Sequence, residues 1–149
     1  MMGIHTYKAA SVLKETGMMV ESDARGFKFI ADEPRGLGGT NRGMNPMETI
    51  LCALGACQCM TARFFAMLLK IDLTEYHVDV EGDIDARGFL NADSGIRPGF
   101  QEIRLTVRMK ANAPEEKIAE LLAMVESRCP VGETVLHGAP VVVRHIELL

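Results

Sequence analysis

One long apolar segment constrains the fold of this 149-residue chain more than any other feature. It starts at residues 45–48, where Asn45 can cap a helix, Pro46 fits the first helical position and Glu48 stands three residues after the cap. The apolar residues that follow, to about Lys70, cover most of the circumference of a helix. A helix that is apolar on nearly every side is usually buried. A small domain rarely encloses such a helix alone, so we expect it to lie in the core of a homodimer.

Alternating and turn-forming residues predict strands on both sides of this helix. A hairpin is expected over 6–13 and 17–22, a third strand over 26–31, two strands over 76–86 and 103–109, and a last strand over 141–148. Residues 33–44 are predicted to form a glycine-rich loop. A second helix is predicted from Pro114 to about Arg128, and a short helix follows it. Since the order is not βαβ, we predict a single α+β domain over residues 1–149.

Charge and hydropathy argue against several functions. The formal net charge of −4 does not favour a nucleic-acid surface, which is usually basic. Residues 1–8 contain no apolar core of a signal peptide, and the unbroken apolar run over 50–57 is too short to span a bilayer. We therefore expect a cytoplasmic protein without a nucleic-acid or membrane partner. Because thiols stay reduced there, its four cysteines suggest chemistry, metal binding or packing before structural disulfides.

Two of the cysteines stand in unlike settings. Cys129 precedes Pro130, so it could cap the short helix, where free N–H groups and the helix dipole stabilise a thiolate. A cysteine that merely replaces serine as a cap is an equal alternative. Cys57 lies some three turns into the long helix, beyond useful reach of that dipole. Gly55 and Ala56 are small and leave room beside Cys57 for a substrate or a partner backbone.

The other two cysteines and the histidines carry weaker signals. Cys52 and Cys59 share a helix face that Cys57 does not, so no two of the three can bridge within a regular helix. The chain has no Cys-x-x-Cys, and its four histidines show no ligand spacing, which predicts no metal site and no cofactor. A nucleophilic pair of Cys57 with a histidine remains open, since any histidine could meet it in space.

The order of these motifs resembles the OsmC/Ohr family, that is, osmotically inducible protein C and organic hydroperoxide resistance protein. The resemblance rests on Asn45-Pro46 followed by a long helix with Gly55-Ala56-Cys57, and on the distant Cys129-Pro130. Residues 34–39 and 98–103 fit the same family, so the resemblance covers nearly the whole chain. The chain looks like the broader OsmC-like branch.

The resemblance implies both a fold and a chemistry. The fold would be an intertwined homodimer in which antiparallel sheets wrap around two central helices. The activity would be thiol-dependent reduction of organic hydroperoxides in oxidative or osmotic stress defence. Cys57 matches the cysteine that attacks the peroxide and becomes a sulfenic acid, and Cys129 matches the cysteine that closes a disulfide with it. A small dithiol of the lipoyl type would reduce that disulfide.

Residues around the two cysteines depart from the family's pattern. A glutamate usually follows Asn-Pro directly and pairs with an arginine of the hairpin, but here Met47 holds that place and Glu48 comes next, about 100° around the helix. Glu48 could act only as a cap, and Arg35 is one of several candidate substitutes for the arginine, with Arg25 and Arg42.

The same neighbourhood predicts a pocket and leaves a second function open. Met47, Met60 and Phe64 would line an apolar pocket that favours fatty or aromatic hydroperoxides. The alternative function is a catalytically weak or inactive dimer that binds or senses a small apolar or thiol-reactive ligand.

Overall fold

The computed structural model describes residues 3–148, and the chain divides into two compact units after Ile50. The first unit is built on a three-stranded antiparallel sheet of β1 (Ala10–Leu13), β2 (Val20–Ala24) and β3 (Phe27–Ala31), in that order. Arg25 and Gly26, both with positive φ, form the two-residue turn between β2 and β3. The predicted hairpin and third strand are confirmed, with the second strand displaced towards Ala24.

A buried carboxylate organises the glycine-rich loop that follows β3. Asp32 is almost completely buried, and its oxygens accept hydrogen bonds from the N–H of Glu33 at 2.9 Å and of Arg42 at 3.1 Å. The N–H and hydroxyl of Thr40 also donate to it, at 3.0 and 2.5 Å. The loop folds so closely that a Cβ on Gly39 would lie 1.9 Å from the carbonyl oxygen of Glu33. The loop is therefore a compact, hydrogen-bonded element.

The long helix α1 spans Pro46–Leu69 and starts as predicted. The N–H of Glu48 donates to Asn45 Oδ1 at 2.8 Å, and the N–H of Asn45 donates to Glu48 Oε2 at 2.8 Å. This reciprocal pair is a capping box, which satisfies two N–H groups that the helix itself leaves free. The helix ends where Lys70 takes a left-handed conformation with φ 56°.

The second unit consists of most of α1, a two-stranded sheet and three further helices. Strands β4 (Asp72–Ile84) and β5 (Phe100–Asn112) pair antiparallel over nearly their whole length. They are followed by α3 (Glu115–Arg128) and α4 (Pro130–His137), as predicted. Between the strands lies α2 (Ala86–Leu90), a short helix that was not predicted from the sequence.

The core of the second unit forms where α1, β4 and α3 meet. Ala62 and Ala66 on α1 are fully buried together with Leu121 and Val125 on α3, and Leu73 of β4 completes the cluster. The small alanines of α1 leave room for the larger side chains of Leu121 and Val125, so all four are buried in one cluster. This packing fixes the α1 turns that carry the cysteines.

The predicted final strand over 141–148 is wrong. Residues 138–148 contain no helix or strand, and the side chain of Val141 is 96% exposed. An alternating apolar pattern shows that a segment can form a strand, but the strand also needs a neighbour for its N–H and C=O groups. In the described part of the chain, no strand pairs with this segment.

Helices and sheets therefore combine as the α+β prediction requires. By length and composition α1 could cross a membrane, and 28% of its most apolar window is buried in the structure. A core helix of a soluble protein passes the same test. The prediction of a single domain remains a prediction.

Candidate functional site

Cys129 lies at the junction of α3 and α4 and caps the second helix. Its backbone ends α3, with its N–H donating to Val125 O at 3.1 Å, and its Sγ accepts a hydrogen bond from the N–H of Gly132 at 3.4 Å. A Cβ on Gly132 would stand 3.4 Å from that sulfur, so glycine permits the close approach. The side chain is fully buried. The predicted cap is confirmed, and the sulfur is held in place by its own helix.

Cys57 lies near Cys129. The Cys57 thiol is close enough to raise the pKa of the Cys129 thiol, although the two residues are far apart in the chain. Both are free thiols in the structure, and Cys57 is partly exposed whereas Cys129 is buried. The second unit thus brings together the two cysteines that the sequence singled out. Nearby thiols can close a disulfide once the two sulfurs come within bonding distance.

The electrostatics of Cys129 differ from the sequence-based expectation. Burial raises the pKa of the Cys129 thiol, and the neighbouring Cys57 raises it further. The N–H groups of Gly132 and Val131 act in the opposite direction but do not outweigh burial. A helix start therefore does not make Cys129 acidic, because the low-polarity surroundings penalise the thiolate more than two N–H groups stabilise it.

The room expected beside Cys57 is partly filled by the sheet. A Cβ on Gly55 would lie 3.3 Å from Val80 Cγ2 of β4, so this glycine serves the contact between α1 and β4. Ala56, in contrast, is exposed to solvent. Cys57 is therefore accessible from the solvent-exposed part of α1 next to Ala56, and not from the part next to Gly55.

A cavity of about 460 Å³ lies between α1 and β4. Two residues of the predicted pocket, Met60 and Phe64, line it. The sequence analysis did not assign Cys59, Arg63 and Tyr76 to a pocket, but the structure places them in the same wall. Cys59 and Arg63 share this wall with Tyr76 because of the way α1 lies against β4. No local sequence pattern predicts that contact.

Cys59 and Tyr76 connect this cavity with the cysteine pair. Cys59 Sγ donates to the carbonyl oxygen of Tyr76 at 3.8 Å. Burial raises the pKa of the Tyr76 phenol, and the nearby thiols of Cys59 and Cys129 raise it further. The third pocket candidate, Met47, lies half-buried in the first turn of α1 and is not a lining residue of this cavity.

The two supporting residues named from the sequence lie in the first unit. The carboxylate of Glu48 is engaged in the capping box. Arg35 begins a single 3₁₀ turn, Arg35–Leu37, and is exposed. Among residues 3–148, no carboxylate forms an ion pair with Arg35. The hairpin lysine, Lys14, pairs with Glu21 at 3.2 Å.

No group of three or more His, Cys, Asp or Glu side chains within residues 3–148 is placed to hold a metal ion. Fold and site together define a class: a mixed α+β protein with a long apolar helix and two neighbouring free thiols, one buried at a helix junction and one partly exposed.

Comparison with known proteins narrows this class to a family. The profile of the OsmC-like protein family matches residues 39–144, and the chain belongs to this family. A hydroperoxide reductase of Mycoplasma genitalium is 30% identical over 98 residues, which cover 66% of this chain and 65% of that protein. The alignment thus spans just under two thirds of that relative's length.

Solved structures agree with the family over a larger share of the chain. An OsmC-like protein of Mycoplasma pneumoniae superposes with a TM-score of 0.75 at 25% identity, over 89% of each chain. An organic hydroperoxide resistance protein OsmC of Legionella pneumophila superposes with a TM-score of 0.67 at 21% identity, over 92% of this chain and 93% of that one. The OsmC-like family and the α+β fold of the single chain, both expected from the sequence, are confirmed.

Proposed function

We propose that this protein is a thiol peroxidase that reduces organic hydroperoxides with Cys57 and Cys129. The observation that carries the proposal is the proximity of the two thiols at a site where one is accessible and the other is buried. The name of the Mycoplasma genitalium relative, hydroperoxide reductase, supports it.

Exposure and acidity assign the two roles. Cys57 is partly exposed and can meet a peroxide, whereas Cys129 is buried and burial disfavours its thiolate. The Cys57 thiolate attacks the peroxide, the O–O bond breaks, an alcohol leaves after protonation, and Cys57 becomes a sulfenic acid. The Cys129 sulfur then displaces water from this sulfenic acid and forms a disulfide. A dithiol reductant of the lipoyl type returns both residues to thiols by exchange, in a cytoplasm that keeps such dithiols reduced.

Steady-state turnover with matched cysteine variants tests this assignment. Purified protein should consume cumene hydroperoxide with dihydrolipoamide as reductant. Cys57→Ser should abolish turnover, and Cys129→Ser should accumulate Cys57 sulfenic acid, detectable by mass spectrometry after trapping with dimedone. Cys52→Ser is the control and should retain activity. Unchanged turnover in Cys57→Ser would refute the proposal.

The engagement of Glu48 in the helix cap favours a second candidate. A carboxylate already bonded to Asn45 is less available to orient an activating cation, so the thiol pair could belong to a weak peroxidase that binds or senses a thiol-reactive ligand. Single-turnover oxidation of Cys57 separates the candidates. A rate no faster than that of free cysteine would favour the sensor, and a much faster rate would favour the enzyme.

We further propose that the protein is a homodimer joined along α1. The face of α1 from Cys52 to Leu68 is exposed, with Met60 73% exposed, and Arg63 is the only charged residue in this stretch. Exposed apolar faces of this length mark interfaces. The exposed segment 141–148, which forms no strand in the single chain, would become one by pairing with the second copy.

Oligomeric state in solution tests the dimer. Light scattering after gel filtration should give twice the mass of one chain. Ala56→Arg places a charge on the exposed face of α1 and should shift the protein to monomer. Ala123→Arg, at an exposed position of α3, is the matched control and should leave the dimer intact. A monomeric wild-type protein at micromolar concentration would contradict the proposal.

A further inference from the structure

The sulfur of Cys129 has a second role in the fold, as the side-chain cap of α4. It accepts the N–H of Gly132 at 3.4 Å, one of the groups that the start of a helix leaves without an internal partner. The N–H of Val131 also acts on this sulfur, since it works to lower the pKa of the thiol. One atom therefore serves both the proposed disulfide and the first turn of α4.

Helix α4 is weakly held within the single chain. It has eight residues, Pro130–His137, and none of them is buried, with Leu136 77% exposed. Isolated helices of this length are unstable in water, so a short helix depends on its contacts and on its caps. At the far end the N–H of Gly138 donates to Thr134 O at 2.8 Å, and the residues from 138 to 148 form no helix or strand. Loss of the sulfur cap should therefore affect the whole first turn.

The two cysteines are not anchored equally. Cys57 lies on α1, and the buried residues Leu54 and Thr61 hold the helix one turn before and one turn after it. The first turn of α4 has no buried residue of its own. The sulfurs of two free thiols are farther apart than the length of a disulfide bond, about 2.05 Å, so closure must draw them together. Because the core fixes α1, we expect the sulfur of Cys129 to make most of this movement and to leave its place beside the N–H of Gly132.

We propose that formation of the Cys57–Cys129 disulfide releases the sulfur cap of α4 and loosens the first turn of that helix. The oxidation state of the cysteine pair thereby reaches a helix on the surface of the chain. This inference rests on the proposed function, because it needs the disulfide. One hydroperoxide molecule supplies the oxidation: the two thiols lose their hydrogens, the S–S bond forms, the O–O bond breaks, and an alcohol and water are the products.

Hydrogen–deuterium exchange measures the loosening. Mass spectrometry compares the full-length protein before and after treatment with one equivalent of cumene hydroperoxide per chain, and non-reducing peptide mapping verifies the disulfide. Backbone N–H groups of residues 132–136 should exchange about three- to fivefold faster in the oxidised protein, the scale expected for the loss of one helix cap. Residues 118–126 of α3 are the internal control and should be unchanged, because Leu121 and Val125 belong to the core.

Three variants separate the cap from the disulfide. Cys129→Ala removes the cap without any oxidation, so residues 132–136 should exchange as fast in the untreated variant as in the oxidised wild type. Cys129→Ser keeps an acceptor oxygen at the cap, and Cys57→Ser keeps the sulfur itself. Neither serine variant can form the disulfide, so cumene hydroperoxide should leave the exchange of α4 unchanged in both.

The outcomes distinguish this inference from the proposed function. A verified disulfide with unchanged exchange over residues 132–136 would overturn the inference and leave the proposed function standing. Equal acceleration over residues 118–126 would overturn it as well, because the whole unit would then have loosened. Faster exchange of α4 in peroxide-treated Cys57→Ser would also contradict it. If the hydroperoxide forms no Cys57–Cys129 disulfide in the wild-type protein, the proposed function fails and this inference fails with it.

Discussion

Replacing Glu48 by glutamine separates its two candidate roles, as a helix cap and as an activator of Cys57. The structure places Glu48 Oε2 at 2.8 Å from the N–H of Asn45, with the reciprocal bond also at 2.8 Å. Glutamine keeps an oxygen acceptor at this position but removes the negative charge from the helix start. We expect a loss of about 0.3–1 kcal/mol in the free energy of unfolding, the usual value of one charge in the first turn of a helix.

Two further variants calibrate this value. Asn45→Ala removes the cap itself and should cost about 1 kcal/mol, which lowers the melting temperature by about 2–4 °C in a chain of this size. Glu115→Gln removes a charge from the first turn of α3, where no side chain caps the helix, and should match the charge effect alone. Urea unfolding of the four proteins gives the comparison.

The rate of Cys57 alkylation by iodoacetamide decides between the roles. If Glu48 only caps α1, loss of its charge should change the free energy of the reaction at Cys57 by only about a few tenths of a kcal/mol. The alkylation rate of Cys57 in Glu48→Gln should then stay within about twofold of the wild-type rate. A change of about tenfold or more, without a matching change in Glu115→Gln, would refute the cap interpretation. It would mean that the carboxylate sets the acidity of Cys57 through a cation.

Three further predictions follow from burial and protonation. Leu121→Ala should cost about 2–5 kcal/mol in urea unfolding because the side chain is fully buried, whereas Leu122→Ala at a more exposed position should cost less than about 1 kcal/mol; equal losses would contradict the described core. The hydrogen bond from Thr40 outweighs burial and lowers the pKa of Asp32, so its stabilisation should be present above pH of about 4 and disappear as pH falls through the lower folded-state pKa. Asp32→Asn should therefore be less stable than wild type at pH 7, with the difference shrinking in acid, and a pH-independent difference would count against it. Burial raises the pKa of Cys129, so stability should fall as pH rises from about 8.5 through that pKa, and native Cys129 should resist iodoacetamide until urea exposes it; a mass-spectrometric alkylation rate equal to that of a free thiol at pH 8 would contradict this.

The sequence predicted those elements whose determinants are local. The start of α1 follows from Asn45, Pro46 and Glu48, and α4 follows from Cys129 and Pro130 at its first positions, because capping depends on residues within one turn. The family resemblance added what local patterns could not, namely that Cys57 and Cys129 belong to one site.

Other elements depend on contacts that a single sequence does not encode. The last predicted strand has the right pattern but no neighbour within residues 3–148. Helix α2 was missed because Gly88 interrupts a short segment, although Asp85, whose side chain accepts from the N–H of Arg87 at 3.0 Å, was a usable cap signal. The sequence predicted only Met60 and Phe64 as lining residues of the cavity between α1 and β4, because the rest of its wall depends on how β4 lies against α1.

The fixed position of Cys129 bears on how the proposed enzyme would survive high peroxide concentrations. A sulfenic acid that waits for its partner can meet a second peroxide molecule and become an irreversible sulfinic acid. Here the partner sulfur lies near Cys57 and is anchored at a helix junction, so disulfide closure would need only a short approach of the two sulfurs. The lifetime of the sulfenic acid would then be set by chemistry alone. Such an enzyme would resist inactivation by its own substrate, and it would respond to a burst of peroxide by consuming reductant, without losing its catalytic cysteine.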